Sequence, residues 1–404
     1  MTFALFVMIS ILGWGAWEST GPEGGDINAP VQSPTNASEL WALSGTNPTQ
    51  VVHSTDAGLS WEAVSSFTSG TPYDMIVTAD GNLVAVGSSR SWSSMDGGQS
   101  WVSNYHSNTN FYDAVAHPTA AGELFAAGYK YDGTWKMAFM HSTDNGATFT
   151  VTYLPASGTY NYGRCIAVSR SDPSVLLVGG YSYTTDATYD PVVFLSTDGG
   201  TSFTDVTPAA ASSEYYFYGV AIHPTSPDIM LSGSLLGVYR SIDGGSSWNR
   251  IRNQTYNYRM SFSQADDNLL FAGGSTIGYR STDGGNSWTS LTSGLSGSDI
   301  QWIIPSWDNS SVAFTGSSEG FFRSSNGGSS WIASNSGLTV GKVLAMAESQ
   351  GWLFMNMEDM GLFKAQTGTD DIVWEEVSTP LACGDFCDIC ADGAGTLLAL
   401  EGSG

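Results

Sequence analysis

Basic residues are scarce in this chain. Of its 404 residues only 13 are lysine or arginine, against 38 aspartate or glutamate, so the formal net charge is −25. Proteins that bind nucleic acid use cationic side chains to displace the counterions of the phosphates, and anionic membrane surfaces attract the same side chains. The composition therefore predicts no nucleic-acid partner and no attachment to an anionic membrane surface.

Cysteine is also rare, and three of the four cysteines lie close together: Cys383, Cys387 and Cys390. No histidine lies near them in the sequence to complete a zinc site, so we expect no metal. The chain also lacks a phosphate-binding loop, and we expect no cofactor. In an exported protein the group allows one local disulfide, and its simplest form pairs Cys383 with Cys387.

Long apolar runs are missing except for one near the start, FALFVMISILGWGA, over residues 3–16. Its 14 residues are too few to span a bilayer comfortably. They fit the core of a signal peptide with small residues near a cleavage point, although no basic residue precedes them. We predict that residues 1–16 are a signal peptide and that the mature protein is secreted or on the cell surface, with no membrane insertion after cleavage. The alternative is a buried first strand.

What the chain has in quantity is apolar and aromatic residues, at 41% and 12%, together with 48 glycines. This composition supports a large core and excludes a disordered chain. No segment of useful length shows helical periodicity. One octapeptide pattern, as in STDGGNSW, dominates instead. Its seven copies span residues 54–61, 94–101, 142–149, 196–203, 241–248, 281–288 and 324–331, and they begin 40 to 54 residues apart.

The octapeptide has the chemistry of a turn. An aspartate side chain accepts backbone N–H groups, and glycine adopts positive φ at no steric cost. Alternating apolar residues flank the turn, as in VYRSIDGGSSWNRI over residues 238–251, which predicts a β-hairpin. Two further strand patterns precede each copy, so each repeat predicts four antiparallel strands, A to D. Such a period and composition are typical of an all-β propeller.

The octapeptides resemble Asp-boxes, also called BNR repeats. The chain therefore resembles the propellers that carry them, which include sialidases, xyloglucan-degrading hydrolases, sortilin-type receptors and photosystem assembly factors. The resemblance covers nearly all of residues 26–404 and implies a structural role for the third residue of each box. Those residues are Asp56, Asp96, Asp144, Asp198, Asp243, Asp283 and Asn326.

The number of blades stays open at seven, eight or nine, and about eight is favoured. Eight near-complete units are placed at residues 26–66, 73–105, 112–154, 163–207, 217–252, 258–292, 300–333 and 342–377, in one propeller domain over residues 17–404. Two strands of a ninth unit follow. Either the protein is longer, or these strands close the ring with the first unit. Pro30 suits an inner strand badly, which favours replacement of the first inner strand by a C-terminal one.

Tyrosine is concentrated in the B–C and D–A connections of units two to six, on the face opposite the octapeptides. Tyrosine combines an apolar ring with a polar tip and suits a partly wet binding surface. The predicted rim consists of Phe111, Tyr112, Tyr160, Tyr162, Tyr215, Tyr218, Tyr256 and Tyr258. Suitable ligands are glycans and extended peptides. The alternative, for the rings that recur just before strand A, is packing between neighbouring blades.

Two carboxylates, Asp74 and Asp113, hold the same position in adjacent units. A facing pair at the right separation could hydrolyse a glycoside, so these are weak catalytic candidates. A pair of solvated strand-end aspartates is the favoured interpretation. The Arg-Ile-Pro tripeptide of sialidases is missing, and so is the arginine-rich patch of the photosystem factors.

The sequence therefore predicts an exported, non-catalytic propeller that binds an extracellular glycan or protein through its aromatic rim. Two alternatives stay open. One is a glycoside hydrolase of the Asp-box propeller type. The other is a self-assembling structural protein of the cell surface, whose rim would be buried against another copy.

Overall fold

The protein is built almost entirely from β-strands, with one turn of 3-10 helix at Ala209–Ala211. The structure is a computed structural model. It describes residues 26–45, 49–156, 158–183, 189–211, 215–253, 259–275, 277–295, 300, 302–336, 343–349, 352–357, 361–366, 375–376, 386–391 and 397–401. Within these ranges no helix has the length and hydropathy needed to cross a membrane. The chain divides into two compact units, a larger one over residues 23–344 and a smaller one built mainly from residues 345–404.

The larger unit consists of four-stranded antiparallel blades. Blade 1 contains β1 (Ile27–Gln32), β2 (Leu40–Ser44), β3 (Gln50–Ser54) and β4 (Glu62–Ser66). The strands of blades 2 to 4 join into one sheet: β5 (Pro72–Val77), β6 (Leu83–Ser94), β7 (Val102–Ala116), β8 (Leu124–Tyr131), β9 (Trp135–Ser142), β10 (Thr150–Tyr153), β11 (Tyr160–Val168), β12 (Leu176–Tyr183), β13 (Tyr189–Ser196) and β14 (Thr204–Asp205). Ser89 in β6 and Asn108 in β7 have positive φ. The pairing shows that β6 supplies strands B and C of blade 2, and that β7 supplies strand D of blade 2 and strand A of blade 3.

Blades 5 to 7 are separate sheets of four consecutive strands each. They contain β15 (Phe217–Ile222), β16 (Met230–Ser234), β17 (Gly237–Ser241), β18 (Asn249–Asn253), β19 (Met260–Phe262), β20 (Leu270–Ala272), β21 (Tyr279–Ser281), β22 (Thr289–Ser290), β23 (Ile303–Pro305), β24 (Ala313–Ser317), β25 (Gly320–Ser324) and β26 (Ile332–Ala333). Among the described residues, buried apolar side chains form seven clusters, one in each space between neighbouring blades.

One of these clusters joins blade 7 to blade 1 and closes the ring. Trp61 packs edge-on against Phe321, with ring centroids 4.5 Å apart. The Arg323 Nε–H donates to the Ala57 carbonyl at 3.1 Å. The larger unit is therefore a β-propeller of seven blades. Seven is one of the counts that the sequence left open, although eight was favoured.

The inner strand of blade 1 is β1 itself, and it tolerates Pro30 by a bulge. The register between β1 and β2 shifts between Asn28 and Val31, and Ala29 has a φ of 45°. A bulged residue makes no ladder hydrogen bond, so the missing N–H of proline costs nothing there. The expectation that a C-terminal strand replaces this one is therefore wrong.

The smaller unit contains the remaining repeats. Its strands are β27 (Val343–Ser349), β28 (Trp352–Met357), β29 (Gly361–Gln366) and β30 (Glu375–Glu376) in one sheet, and β31 (Phe386–Ala391) with β32 (Leu397–Glu401) in a second. The eighth repeat and the start of a ninth thus form as strands. The ring is complete within the larger unit, because blade 7 packs against blade 1. It therefore covers less of the chain than the predicted domain over residues 17–404.

The six octapeptides that contain aspartate close their blade hairpins with the same hydrogen bonds, here described for blade 6. The Ser281 hydroxyl donates to the Asp283 carboxylate at 2.8 Å and accepts the Gly285 N–H at 2.9 Å. The carboxylate also accepts the N–H and hydroxyl of Ser287, at 2.8 and 2.6 Å. Burial raises the pKa of Asp283, but these hydrogen bonds outweigh it and hold the pKa below its usual value. Gly285 has a φ of 83°, which explains why glycine occupies this position of the octapeptide.

Replacing Asp283 by alanine is expected to destabilise the protein by about 1–2 kcal/mol, as for the loss of a side-chain cap. Ligand binding is expected to stay unchanged. Urea unfolding measures the loss. Asp283→Asn is the matched control, because Asn326 fills this position in blade 7 and still accepts the Ser330 N–H at 2.9 Å. An unchanged midpoint for Asp283→Ala would contradict the structural role.

Candidate functional site

Tyrosines of blades 3 to 5 lie side by side on the face opposite the octapeptide turns. This tyrosine wall consists of Tyr129, Tyr160, Tyr162, Tyr181, Tyr183, Tyr189, Tyr215 and Tyr216. Neighbouring ring centroids are 4.6 to 6.4 Å apart. Burial raises the pKa of the Tyr162, Tyr181 and Tyr216 hydroxyls, so these phenols stay neutral at physiological pH.

Two long hairpins carry half of the wall: Tyr129, Tyr181, Tyr183 and Tyr189. Strands β8, β9, β12 and β13 have eight residues each, against five or fewer in β20, β21, β24 and β25. The hairpins of blades 3 and 4 therefore extend further, and Tyr183 pairs with Tyr189 near the end of one of them. Strand β11 also pairs in parallel with β9, where Tyr160 faces Trp135. This pairing joins blades 3 and 4 within the wall through their main chains.

Most of the described rim residues predicted from the sequence lie in or beside this wall. Tyr160 stacks on Tyr183 with centroids 4.6 Å apart, and Tyr215 is 48% exposed. Tyr162 is half-buried within the wall, whereas Tyr112 and Tyr218 are half-buried beside it. Tyr256 and Tyr258 lie outside the described residues, so their placement stays a prediction.

Phe111 does not belong to the rim. Its side chain is fully buried and packs against Phe149, with ring centroids 4.9 Å apart, in the core between blades 2 and 3. The strand has a bulge next to it, between Phe111 and Asp113. Because neighbouring residues of a strand point to opposite faces, Tyr112 faces outward and Phe111 inward.

A pocket of about 500 Å³ opens on the axis of the ring. Each of the seven blades contributes a residue in or next to its inner strand: Asn28, Tyr73, Tyr112, Arg164, Tyr218, Arg259 and Trp302. Tyr73, Tyr112 and Tyr218 recur just before strand A, a position that the sequence also allowed for packing between blades. They line this central pocket, and Tyr73 is 39% exposed. Tyr73 and Tyr112 also stack on each other between blades 2 and 3, with ring centroids 6.1 Å apart.

Below the pocket, one arginine bridges two buried carboxylates. Arg259 Nη2 lies 3.0 Å from Asp74 Oδ2 and 2.7 Å from Asp113 Oδ1. Asp74 also accepts the Ala114 N–H at 2.9 Å, and Asp113 accepts the Ile166 N–H at 2.8 Å. Each aspartate thus bonds the inner strand of the next blade, and Arg259 ties blade 6 to blades 2 and 3 across the axis.

The sequence interpretation of Asp74 and Asp113 as solvated strand-end residues is therefore wrong. Asp74 is 1% exposed and Asp113 is 4% exposed, because their position on the inner strand faces the ring axis. Burial and the neighbouring Asp74 carboxylate raise the pKa of Asp113, although Arg259 opposes this. One guanidinium nitrogen fills the space between the two carboxylates, where a glycosidase pair needs the sugar. The pair is arranged to hold Arg259.

The second arginine of the pocket, Arg164, is stacked on aromatic rings. Its guanidinium carbon lies 4.0 Å from the Tyr112 ring centroid and 5.5 Å from that of Tyr218. Arg259 lies similarly over Trp302, at 5.0 Å. Sequence reasoning missed Arg164, Arg259 and Trp302 as site residues. The available signal was that two of only 13 basic residues stand where a tyrosine-rich connection leads into an inner strand.

The described cysteine side chain is that of Cys165. Cys165 is a buried free thiol, and burial raises its pKa. Cys387 lies in β31, whereas Cys383 lies outside the described residues. The Cys383–Cys387 disulfide therefore stays a prediction.

Comparison with known proteins places the chain among β-propellers. No protein-family model matches it. A curated xyloglucanase of a Paenibacillus species is 23% identical over 317 residues, which is 64% of this chain and 30% of the xyloglucanase. The chain thus spans less than a third of that relative.

Solved structures show the same fold. An ancestral GH74 enzyme matches with a TM-score of 0.74 at 15% identity, over 97% of this chain and 60% of its own. YCF48 bound to D1 peptide matches with a TM-score of 0.52 at 15% identity, over 78% of this chain and 99% of its own. At these identities the likeness establishes the fold alone: the chain has a β-propeller fold, and GH74 and YCF48 structures are among its structural neighbours.

Proposed function

We propose that this propeller is exported and binds an extracellular polysaccharide along its tyrosine wall, without catalysing a reaction. The observation that carries the proposal is the continuity of the wall across blades 3 to 5. A contiguous aromatic surface of this kind on a soluble protein usually serves binding. Sugar rings, with an apolar face and a hydroxyl edge, suit neutral tyrosines that present the same two characters.

The buried carboxylates favour binding over hydrolysis. Asp74 and Asp113 are both bonded to Arg259 and to backbone N–H groups. A general acid or nucleophile must reach the glycosidic bond, and both carboxylates are almost fully buried.

Glycoside hydrolysis is the second candidate, and the relatives favour it. The curated match is a xyloglucanase, and the GH74 enzyme shares the fold. This chain covers only 60% of that GH74 enzyme, so the shared fold does not by itself carry the enzyme's activity over to this chain. Incubation with xyloglucan separates the candidates: new reducing ends support hydrolysis, whereas retention without reducing ends supports binding.

Replacing Tyr160, Tyr189 and Tyr215 together by alanine is expected to weaken polysaccharide binding at least tenfold, about 1.4 kcal/mol. The loss of each ring takes away apolar surface that would contact the ligand. Affinity electrophoresis in gels that contain xyloglucan, mixed-linkage glucan or pectin measures the change.

The matched control is Tyr105→Ala. Tyr105 is 66% exposed but stands in the first half of β7, apart from the wall, against Arg90. It should leave binding unchanged. If the triple variant folds and binds every polysaccharide as well as the parent, the wall is only packing between blades.

A further inference from the structure

The pocket on the ring axis carries cationic side chains in a chain that has very few. Arg164 and Arg259 both line it, out of 13 basic residues in all. Their surroundings are aromatic rather than acidic at the pocket surface: Tyr73, Tyr112 and Trp302. The volume of about 500 Å³ lies within the range of small-molecule sites.

Arg164 has the geometry of a donor that is held ready. Tyr112 and Tyr218 hold its guanidinium at 4.0 and 5.5 Å, and within the described part of the chain these rings are its contacts. Stacking covers a flat face of the guanidinium and leaves its N–H edge for a planar acceptor. A carboxylate matches two parallel N–H groups of such an edge.

Arg259 forms the fixed side of the pocket. Asp74 and Asp113 hold it from below, and 22% of its side chain stays accessible. The trio carries one net negative charge when all three groups are ionised. Burial raises the pKa of Asp113, which works against that charge and leaves Arg164 to set the sign of the pocket.

We propose that this pocket is a subsite for a sugar residue that bears a carboxylate, a uronate of an acidic polysaccharide, with the carboxylate on Arg164 and the sugar ring beside Trp302 and Tyr73. This rests on the proposed function and names its substrate class. The net charge of −25 opposes a polyanion only at long range. Charges further apart than about 8 Å are screened at physiological salt, whereas a contact pair at 4 Å is not.

Titration calorimetry with oligogalacturonate and with its neutral methyl ester tests the proposal. The parent should bind the acid form at least tenfold more tightly, and this preference should shrink as salt rises. Arg164→Gln should lose the preference and Arg164→Lys should regain part of it, because lysine restores charge but not the planar edge. The matched control is Arg90→Gln, which removes a cation bonded to Ser103 outside the pocket.

Free galacturonate, acetate and a short peptide with a free C-terminus separate this inference from the proposed function. Galacturonate binding that depends on Arg164, with no polysaccharide bound, would keep the subsite and refute the wall. Equal binding of acid and ester, or a preference that survives Arg164→Gln, would refute the subsite and leave the wall. Acetate or the peptide binding as tightly as galacturonate would refute the uronate assignment.

Discussion

Replacing Arg259 by methionine is expected to lower the free energy of unfolding by about 3–5 kcal/mol, the usual cost of leaving a buried charge without its partner. Both Asp74 and Asp113 lose their counter-ion in this variant, and both are almost fully buried. Urea unfolding at pH 7 measures the loss. A change below 1 kcal/mol would mean that the carboxylates do not depend on Arg259.

The matched control adds Asp74→Asn and Asp113→Asn to Arg259→Met, which removes all three charges. It should recover most of the loss, because replacing a buried ion cluster by neutral groups is often close to neutral.

The same cluster predicts the pH dependence of the parent. Burial raises the pKa of Asp113 from its ordinary 3.8 to about 7. The native state therefore holds this proton more tightly than the unfolded state, so its contribution to stability is lost as pH rises through that window. Asp113→Asn should lack this component of the pH profile.

Replacing Trp61 by alanine is expected to cost about 3–5 kcal/mol, as for other large aromatic residues removed from a core. Trp61 is 5% exposed and packs on Phe321 where blades 1 and 7 meet. Thermal unfolding measures the loss. Ile332→Ala is the control, since Ile332 stands in blade 7 but is 71% exposed.

Deleting residues 385–404 should, by contrast, leave the unfolding transition of the seven-bladed ring unchanged. Strand β1 already fills the inner position of blade 1. If the deletion destabilised the ring as much as Trp61→Ala, a C-terminal strand would after all take part in closure.

The blade architecture was predictable because its signal is local. Ser281, Asp283 and Gly285 form their bonds within one octapeptide, so a single copy encodes its own turn. The number of blades in the ring was not, because the repeats are alike and nothing local marks the last one. Closure depends on packing between Trp61 in blade 1 and Phe321 in blade 7, which are far apart in the sequence.

The site divides in the same way. The tyrosines were found because their density in two sets of connections is visible in the sequence. Phe111 was misplaced because it was put on the same surface as its neighbour Tyr112, whereas neighbouring residues of a strand point to opposite faces. The cluster of Asp74, Asp113 and Arg259 was missed because its members come from three blades and meet only at the axis.

The junction of blades 1 and 7 also bears on how the protein is made. Its hydrogen bonds join residues 266 and 276 positions apart, and every blade is built from consecutive strands. A ribosome adds about 5–20 residues per second, so the partner of blade 1 follows on the order of 15–50 seconds later. Until then the apolar side chains of Ile27, Leu40 and Val52 have no blade 7 to cover them. Ring closure is thus the late step of folding, and the interval before it is when a newly made chain is most exposed to pairing with another.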